Sequence, residues 1–198
     1  MKSVVVIILF VFCHIPSAAL ASTVLQVTFE QLATSSELIF EGEAIASEST
    51  WGSDQSGIHT YVTFRVNEVI KGSAGMHVVL RFLGGTVGEV EMEISGSTLP
   101  EVGERGIYFV ETLSRFQVNP LYGVDQGHFL VIESLGQQVM TTRSRQVITG
   151  FFSDIPVAES GLSNGIALGL SLEESGLHPS GVTAFQFKQK IREYVQDR

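Results

Sequence analysis

The chain has 198 residues, with 21 acidic against 12 basic side chains, a formal net charge of −9 and a single cysteine. That acidity speaks against nucleic acid or an anionic membrane as partner, because both are gripped by basic patches. One cysteine cannot form an intramolecular disulfide, so stability has to come from core packing, for which one domain of this length suffices.

The first feature in chain order is an export signal. Lys2 precedes nine uninterrupted apolar or aromatic residues, Val4 to Phe12, followed by His14, Pro16 and a tract of small residues. A charged start, a short apolar core and a small-residue cleavage region define a signal peptide, and nine residues fall well short of the roughly 20 that span a bilayer. Ala19-Leu20-Ala21 places cleavage after Ala21, with Ala19 as the alternative, and makes Ser22 the new N-terminus. Cys13 follows the bulky Phe12, unlike a lipid-attachment site, and leaves with the signal. The expected location is periplasmic or extracellular, with no transmembrane segment after cleavage.

Thr28 and Gln31 form a capping box, with Val27 and Leu32 as the staple pair, so a short helix is predicted from about Phe29 to Ser35. Leu38 to Ala46 reads as a strand in which Gly42 marks a bulge. Apolar and polar residues then alternate through Tyr61–Asn67, Met76–Phe82 and Val90–Ile94, the period of half-buried strands. Gly57, Gly72, Gly84-Gly85 and Gly96 separate these segments. Ile107–Val110, Phe129–Ile132, Val139–Thr142 and Val147–Phe152 complete the β signals. Short strands at this spacing, without long helices between them, predict a small barrel or sandwich. Ser153 to Gly181 is rich in Gly and Ser with no steady apolar period, and reads as a loop or loosely packed connection. Thr183 and Gln186 repeat the capping box, and Phe187, Ile191, Tyr194 and Val195 fall at helical spacing, so a terminal amphipathic helix should dock on the β domain.

Three segments carry a family resemblance: Ser36 to Ala44, Thr60 to Gly72, and Val102 to Val110. Together they resemble the netrin-like domains, the superfamily that contains the tissue inhibitors of metalloproteases, and especially their cysteine-poor bacterial exported relatives. The resemblance spans roughly Phe29 to Ile132. It implies a mainly β fold, an OB-like barrel of five strands with a short N-terminal helix and a C-terminal amphipathic helix at its edges. The resulting division is a signal peptide at 1–21, an OB-like barrel at 22–152, and a Gly/Ser-rich connection with a docking helix at 153–198. In the inhibitors an N-terminal cysteine chelates the target zinc and disulfides hold it rigid. Ser22-Thr23-Val24 stands at the matching place here. The Ser22 α-amine is a candidate zinc ligand, but no covalent link fixes it.

Several motifs invite a chemistry. Gly161-Leu162-Ser163-Asn164-Gly165 matches the G-x-S-x-G nucleophile elbow, yet the chain after it shows no helix and only His178 remains downstream, so it reads as a turn. His59, His77, His128 and His178 lack metal-ligand spacing, and neither a metal nor a cofactor is expected. Glu89, Glu91 and Glu93 share one strand face, either a solvated face that discourages edge pairing or an acidic strip for a basic partner. Trp51 and Asp54 lie in a polar loop of the kind that forms a barrel's binding rim, where the indole serves either as a contact or as a cover. Tyr122, Asp125 and His128 mark a second such loop. Lys188 and Arg192 read as a solvated helix face. The reading that follows is an exported, non-enzymatic binding module for a protein or envelope component. A metalloprotease inhibitor, or a hydrolytic enzyme whose site the sequence does not display, are the alternatives.

Overall fold

The computed structural model describes residues 24–53, 57–134, 136–152, 161–173 and 181–196. The expected signal peptide, Ser22, Asp54 and His178 lie outside these. The fold is mainly β, with a short helix near the N-terminus and a longer one at the C-terminal end. Helix α1 (Phe29–Ser35) starts as its capping box dictates: Thr28 Oγ1 accepts from the Gln31 amide at 3.0 Å, and Gln31 Oε1 accepts from the Thr28 amide at 2.8 Å. Ten strands follow in order: β1 (Leu38–Trp51), β2 (Ile58–Lys71), β3 (His77–Leu83), β4 (Gly85–Val87), β5 (Val90–Met92), β6 (Arg105–Val110), β7 (His128–Ser134), β8 (Gln137–Thr142), β9 (Val147–Phe151) and β10 (Leu170–Glu173). Helix α2 (Ala184–Gln196) closes the sequence of elements.

Eight strands form one antiparallel sheet in the order β10-β9-β8-β7-β6-β1-β2-β3, and β4 and β5 form a separate hairpin. The ladder therefore does not close into the barrel expected from the sequence; β3 and β10 remain its edges. Irregular chain meets one end of the β3 edge and continues to β6. Val118 C=O accepts from the Leu83 amide of β3 at 2.8 Å, and Leu121 bridges Val110 of β6. Strand β10 is a second correction, since it falls in the stretch read as loop. Its four residues are too few to show a period, and only their pairing with β9 makes them a strand. Gly42 does mark an irregularity in the β1–β2 ladder, where a Cβ would stand 2.8 Å from the Arg65 carbonyl and 2.9 Å from the Phe40 ring.

The central strands bury both faces, which is why β6 is a continuous apolar run rather than an alternating one. On one face Ile39, Ile107, Phe109 and Phe129 meet Phe29 and Leu32 of α1 and Phe187 and Ile191 of α2. Phe29 is the hub, with the rings of Phe109, Phe129, Phe151, Phe187 and Tyr194 all within 6.2 Å of its own. On the other face Phe40, Val62, Phe64, Leu80, Phe82 and Tyr108 make a second core, completed by Leu121. The first of these cores draws on residues from both sides of the 152/153 division, because Leu170, Val182, Phe187 and Ile191 all belong to it.

Charge also ties α2 to the sheet. Glu41, almost wholly buried in β1, accepts from Arg105 Nε at 2.9 Å and from Lys188 Nζ at 2.7 Å. Lys188 reaches Glu68 at 2.6 Å, and Arg192 pairs with Glu68 as well. The face of α2 expected to be solvated is thus its electrostatic dock. Burial pulls the Lys188 ammonium pKa down, but the hydrogen bonds and charges of Glu41 and Glu68 outweigh this and hold it above its ordinary value. Among the described residues no helix is long and apolar enough to cross a membrane.

Candidate functional site

The β4–β5 hairpin folds across the β1–β2 ribbon because two glycines let the backbones touch. Gly84 and Gly85 have φ of +100° and +127°, and a Cβ on Gly85 would stand 2.1 Å from Thr60 Oγ1 and 2.6 Å from Ser49 Oγ. The buried Thr60 hydroxyl donates to the Gly84 carbonyl at 2.6 Å and receives from Ser49 Oγ at 2.9 Å. At the hairpin's other strand the Ile58 amide donates to Met92 Sδ at 3.4 Å.

Beyond the hairpin the chain from Ile94 to Leu99 forms an arch with two anchors. Ser97 Oγ accepts from Asn119 Nδ2 at 2.9 Å, and Asp125 takes both the Thr98 amide, at 3.0 Å, and the Thr98 hydroxyl, at 2.9 Å. On the hairpin side of the arch lies a groove of about 660 Å³, lined by Glu91, Glu93, Thr86 and the arch itself. On the other side a cleft of about 320 Å³ is lined by Asp125, Ser163, Asn164 and Val24. Gly96 lines both; Glu91 and Glu93 stand on the groove and Asp125 on the cleft.

Asp125 is held in place by an unusual backbone. Gly123 at φ +64° leads into Val124 at φ +61°, a left-handed conformation rarely taken by a β-branched residue, before a 3-10 turn at Val124–Gly127. Buried Gln126 stabilises that turn by clamping the N-terminal segment: its Oε1 accepts from the Val27 amide at 2.9 Å, and its Nε2 donates to the carbonyls of Leu25 at 3.0 Å and Gly123 at 3.1 Å. Ser163, the serine of the G-x-S-x-G match, faces the cleft from a bend in which its Oγ accepts from the Gly165 amide at 2.9 Å. Among the described residues the cleft supplies no histidine to it, and none of them forms a strand-to-helix elbow there.

The residues singled out from the sequence separate in space. Asp125 lies in the cleft. Trp51, read from the sequence as a loop residue, instead ends β1 opposite Ile58; it is 43% exposed and does not line the groove. Tyr122 packs against the helix-covered core. His128 is fully buried and offers no surface to a partner. Glu91 and Glu93 line the groove that shares Gly96 with the Asp125 cleft, a neighbourhood no sequence spacing could announce because 30 and more residues separate them.

His128 belongs to a different constellation, inside the fold. Its Nε2 stands 2.6 Å from Glu104 Oε1, its ring 5.1 Å from that of Tyr108, and the Tyr108 hydroxyl donates to Glu104 at 3.2 Å. Arg143, from the β8–β9 turn, lies 3.4 Å from Glu104 Oε2. Burial pushes the Glu104 carboxyl up, but the His128 hydrogen bond and charge, together with Arg143, outweigh it and hold Glu104 below its ordinary value of 4.5. Burial first, and then the Glu104 charge, keep the Tyr108 phenol protonated far above its usual range. Because the folded Glu104 value is depressed, its stabilising contribution is complete above the ordinary carboxylate range and is lost as pH falls through the lowered value. Glu104→Gln should therefore be less stable than the parent near neutrality and lose less on acidification. Urea midpoints measured from about pH 7 to about pH 3 test this, and parallel profiles for the two proteins would refute the assignment.

Among the described residues no three His, Cys, Asp or Glu side chains gather to hold a metal ion. Compared with protein-family models, curated proteins and solved structures, the chain matches none of them.

Proposed function

We propose that the chain is an exported, non-enzymatic binding module of netrin-like kind, an OB-related sheet left open, that takes a protein or envelope partner in the acidic groove beside the 94–99 arch. The observation that carries this reading is the groove: Glu91 and Glu93 line it together with Thr86, Ser95, Ser97 and Thr98, and it shares Gly96 with the neighbouring cleft that holds Asp125. Carboxylates and hydroxyls held on hydrogen-bonded turns suit cationic and hydrogen-bond-donating groups, such as the lysines, arginines and backbone amides of an extended protein segment. Trp51, exposed at the end of β1, is the aromatic surface offered to such a segment where it leaves the groove.

The test is capture of partners from periplasmic or secreted extract with the parent protein, with a Glu91→Gln/Glu93→Gln double variant, and with Trp51→Ala. Both glutamates are exposed, so the double variant should keep the parent's stability. A partner held in the groove should be recovered at least about tenfold less well by the double variant, a loss of roughly 1.4 kcal/mol, and its binding should weaken with added salt. Equal recovery of every partner by all three proteins would remove the groove from consideration.

A further inference from the structure

Up to Leu83, whose amide is taken by the Val118 carbonyl, the outer edge of β3 is unguarded. Natural sheets blunt a free edge with proline, lysine, a bulge or an inward-pointing charge. The seven residues of β3, His77-Val78-Val79-Leu80-Arg81-Phe82-Leu83, contain no proline, lysine or carboxylate. Their pairing with β2 runs from Arg65↔His77 to His59↔Leu83 without a register shift, whereas the β1–β2 ladder breaks three times. The one charged group, Arg81, is drawn back onto its own chain, with its guanidinium carbon 3.7 Å above the Phe116 ring.

Backbone direction identifies the free groups. The Gly84 amide donates to Ile58 and the Met76 carbonyl accepts from Val66, so the even-numbered residues face β2. The Leu83 amide donates away from β2, to Val118, so the odd-numbered residues face outward. His77, Val79 and Arg81 therefore turn their amides and carbonyls to the open edge. Beside them the solvent face is apolar: Val79 is 55% exposed and Phe116 79%, with Tyr61 next to Arg81 on β2.

We infer that β3 is a self-association edge, on which a second copy of this chain adds its own β3 antiparallel about Val79. The outward set is symmetric about that residue. A two-fold axis there opposes Val79 to its equivalent and His77 to the second copy's Arg81, so every outward amide and carbonyl of the three residues gains a partner. Charge favours the same occupant. Two copies of a chain of net charge −9 repel over most of their surface, and this strand is a strip where they meet without opposing carboxylates. The inference is independent of the groove, which lies on other elements.

Sedimentation velocity on the purified protein from about 1 to about 200 µM should show the mass rising from one chain toward two. Val79→Pro removes an amide that bonds nothing within the sheet, so it should keep the parent's circular dichroism and stay monomeric at every concentration. A second variant decides the matter if that one fails to fold. Antiparallel partners that exchange both hydrogen bonds place their Cα atoms about 5.5 Å apart, inside the disulfide range. Val79→Cys, in a Cys13→Ser background, should thus cross-link to a covalent dimer under mild oxidation. Leu162→Cys, at a 70% exposed position outside the sheet edge, should not. A parent protein that is monomeric throughout, or Val79→Cys cross-linking no faster than Leu162→Cys, would overturn the inference. So would a monomer that captures only an extended acidic peptide at this edge.

Discussion

Replacing Glu41 by alanine is expected to destabilise the protein by about 3 to 5 kcal/mol, the cost of breaking a buried ion pair from one side. Glu41 is almost wholly buried and receives Arg105 from β6 and Lys188 from α2, so its loss leaves two cations facing each other with their counter-charge gone. Only Glu68 remains to Lys188, and Glu68 also holds Arg192. For a domain of this size the loss corresponds to a fall in Tm of roughly 6 to 20 °C, readable by calorimetry. Glu43 provides the contrast. It lies two residues along the same strand and pairs with Arg65 at 2.6 Å, but that pair is largely exposed, so Glu43→Ala should cost no more than about 1 kcal/mol. A Glu41→Ala/Lys188→Met double variant should recover part of the loss, because it removes a stranded charge as well as the pair. If Glu41→Ala were as mild as Glu43→Ala, the network would be incidental to stability. The acid limb carries the same signature. Burial raises the Glu41 carboxyl, but the bonds from Lys188 and Arg105 hold it below its ordinary value, so its contribution is present at neutral pH and lost in acid.

What could be read from the sequence was local chemistry. The Thr28/Gln31 box, the bulge at Gly42 and the alternation at 61–67 are each settled by residues within one turn or one strand, and the structure has them where they were expected. What could not be read depends on register. Glu41 and Lys188 are 147 residues apart, and their meeting is fixed only when α2 docks across β1. His128 followed a glycine-rich loop and so read as a rim residue, but its pairing with Tyr108 turns it inward onto Glu104. The failure of the sheet to close has the same origin. Strand periodicity reports which face is buried and is silent about whether the last strand meets the first, and here β3 and β10 stay apart, with the 111–121 segment touching β3 at Leu83. The site was half legible: the glutamates on one strand face and the Asp125 loop were both visible, but the arch that brings their two hollows side by side was not.

The larger consequence concerns the C-terminal part. A sequence division after residue 152 leads one to expect that removing 153–198 leaves a folded, weakened barrel. The packing predicts instead that cooperative folding is lost. Removal takes away Leu170, Val182, Phe187 and Ile191, all in the helix-covered core. At about 1.5 to 3 kcal/mol for each buried side chain of this kind, the loss is roughly 6 to 12 kcal/mol, comparable with the whole net stability of a domain, about 5 to 15 kcal/mol. It also exposes Phe29, Phe109 and Phe129, whose rings lie 4.9 to 6.4 Å from that of Phe187, and strips Lys188 from Glu41. The truncated chain should lack a cooperative thermal transition and bind a hydrophobic dye at 25 °C, the behaviour of a collapsed state without fixed packing. Phe187→Ala grades the same effect, with an expected loss of about 3 to 5 kcal/mol and a retained cooperative transition. A truncated protein that melts cooperatively would show instead that the second core, around Phe40, Phe64 and Tyr108, folds alone, and that α2 is an accessory to it.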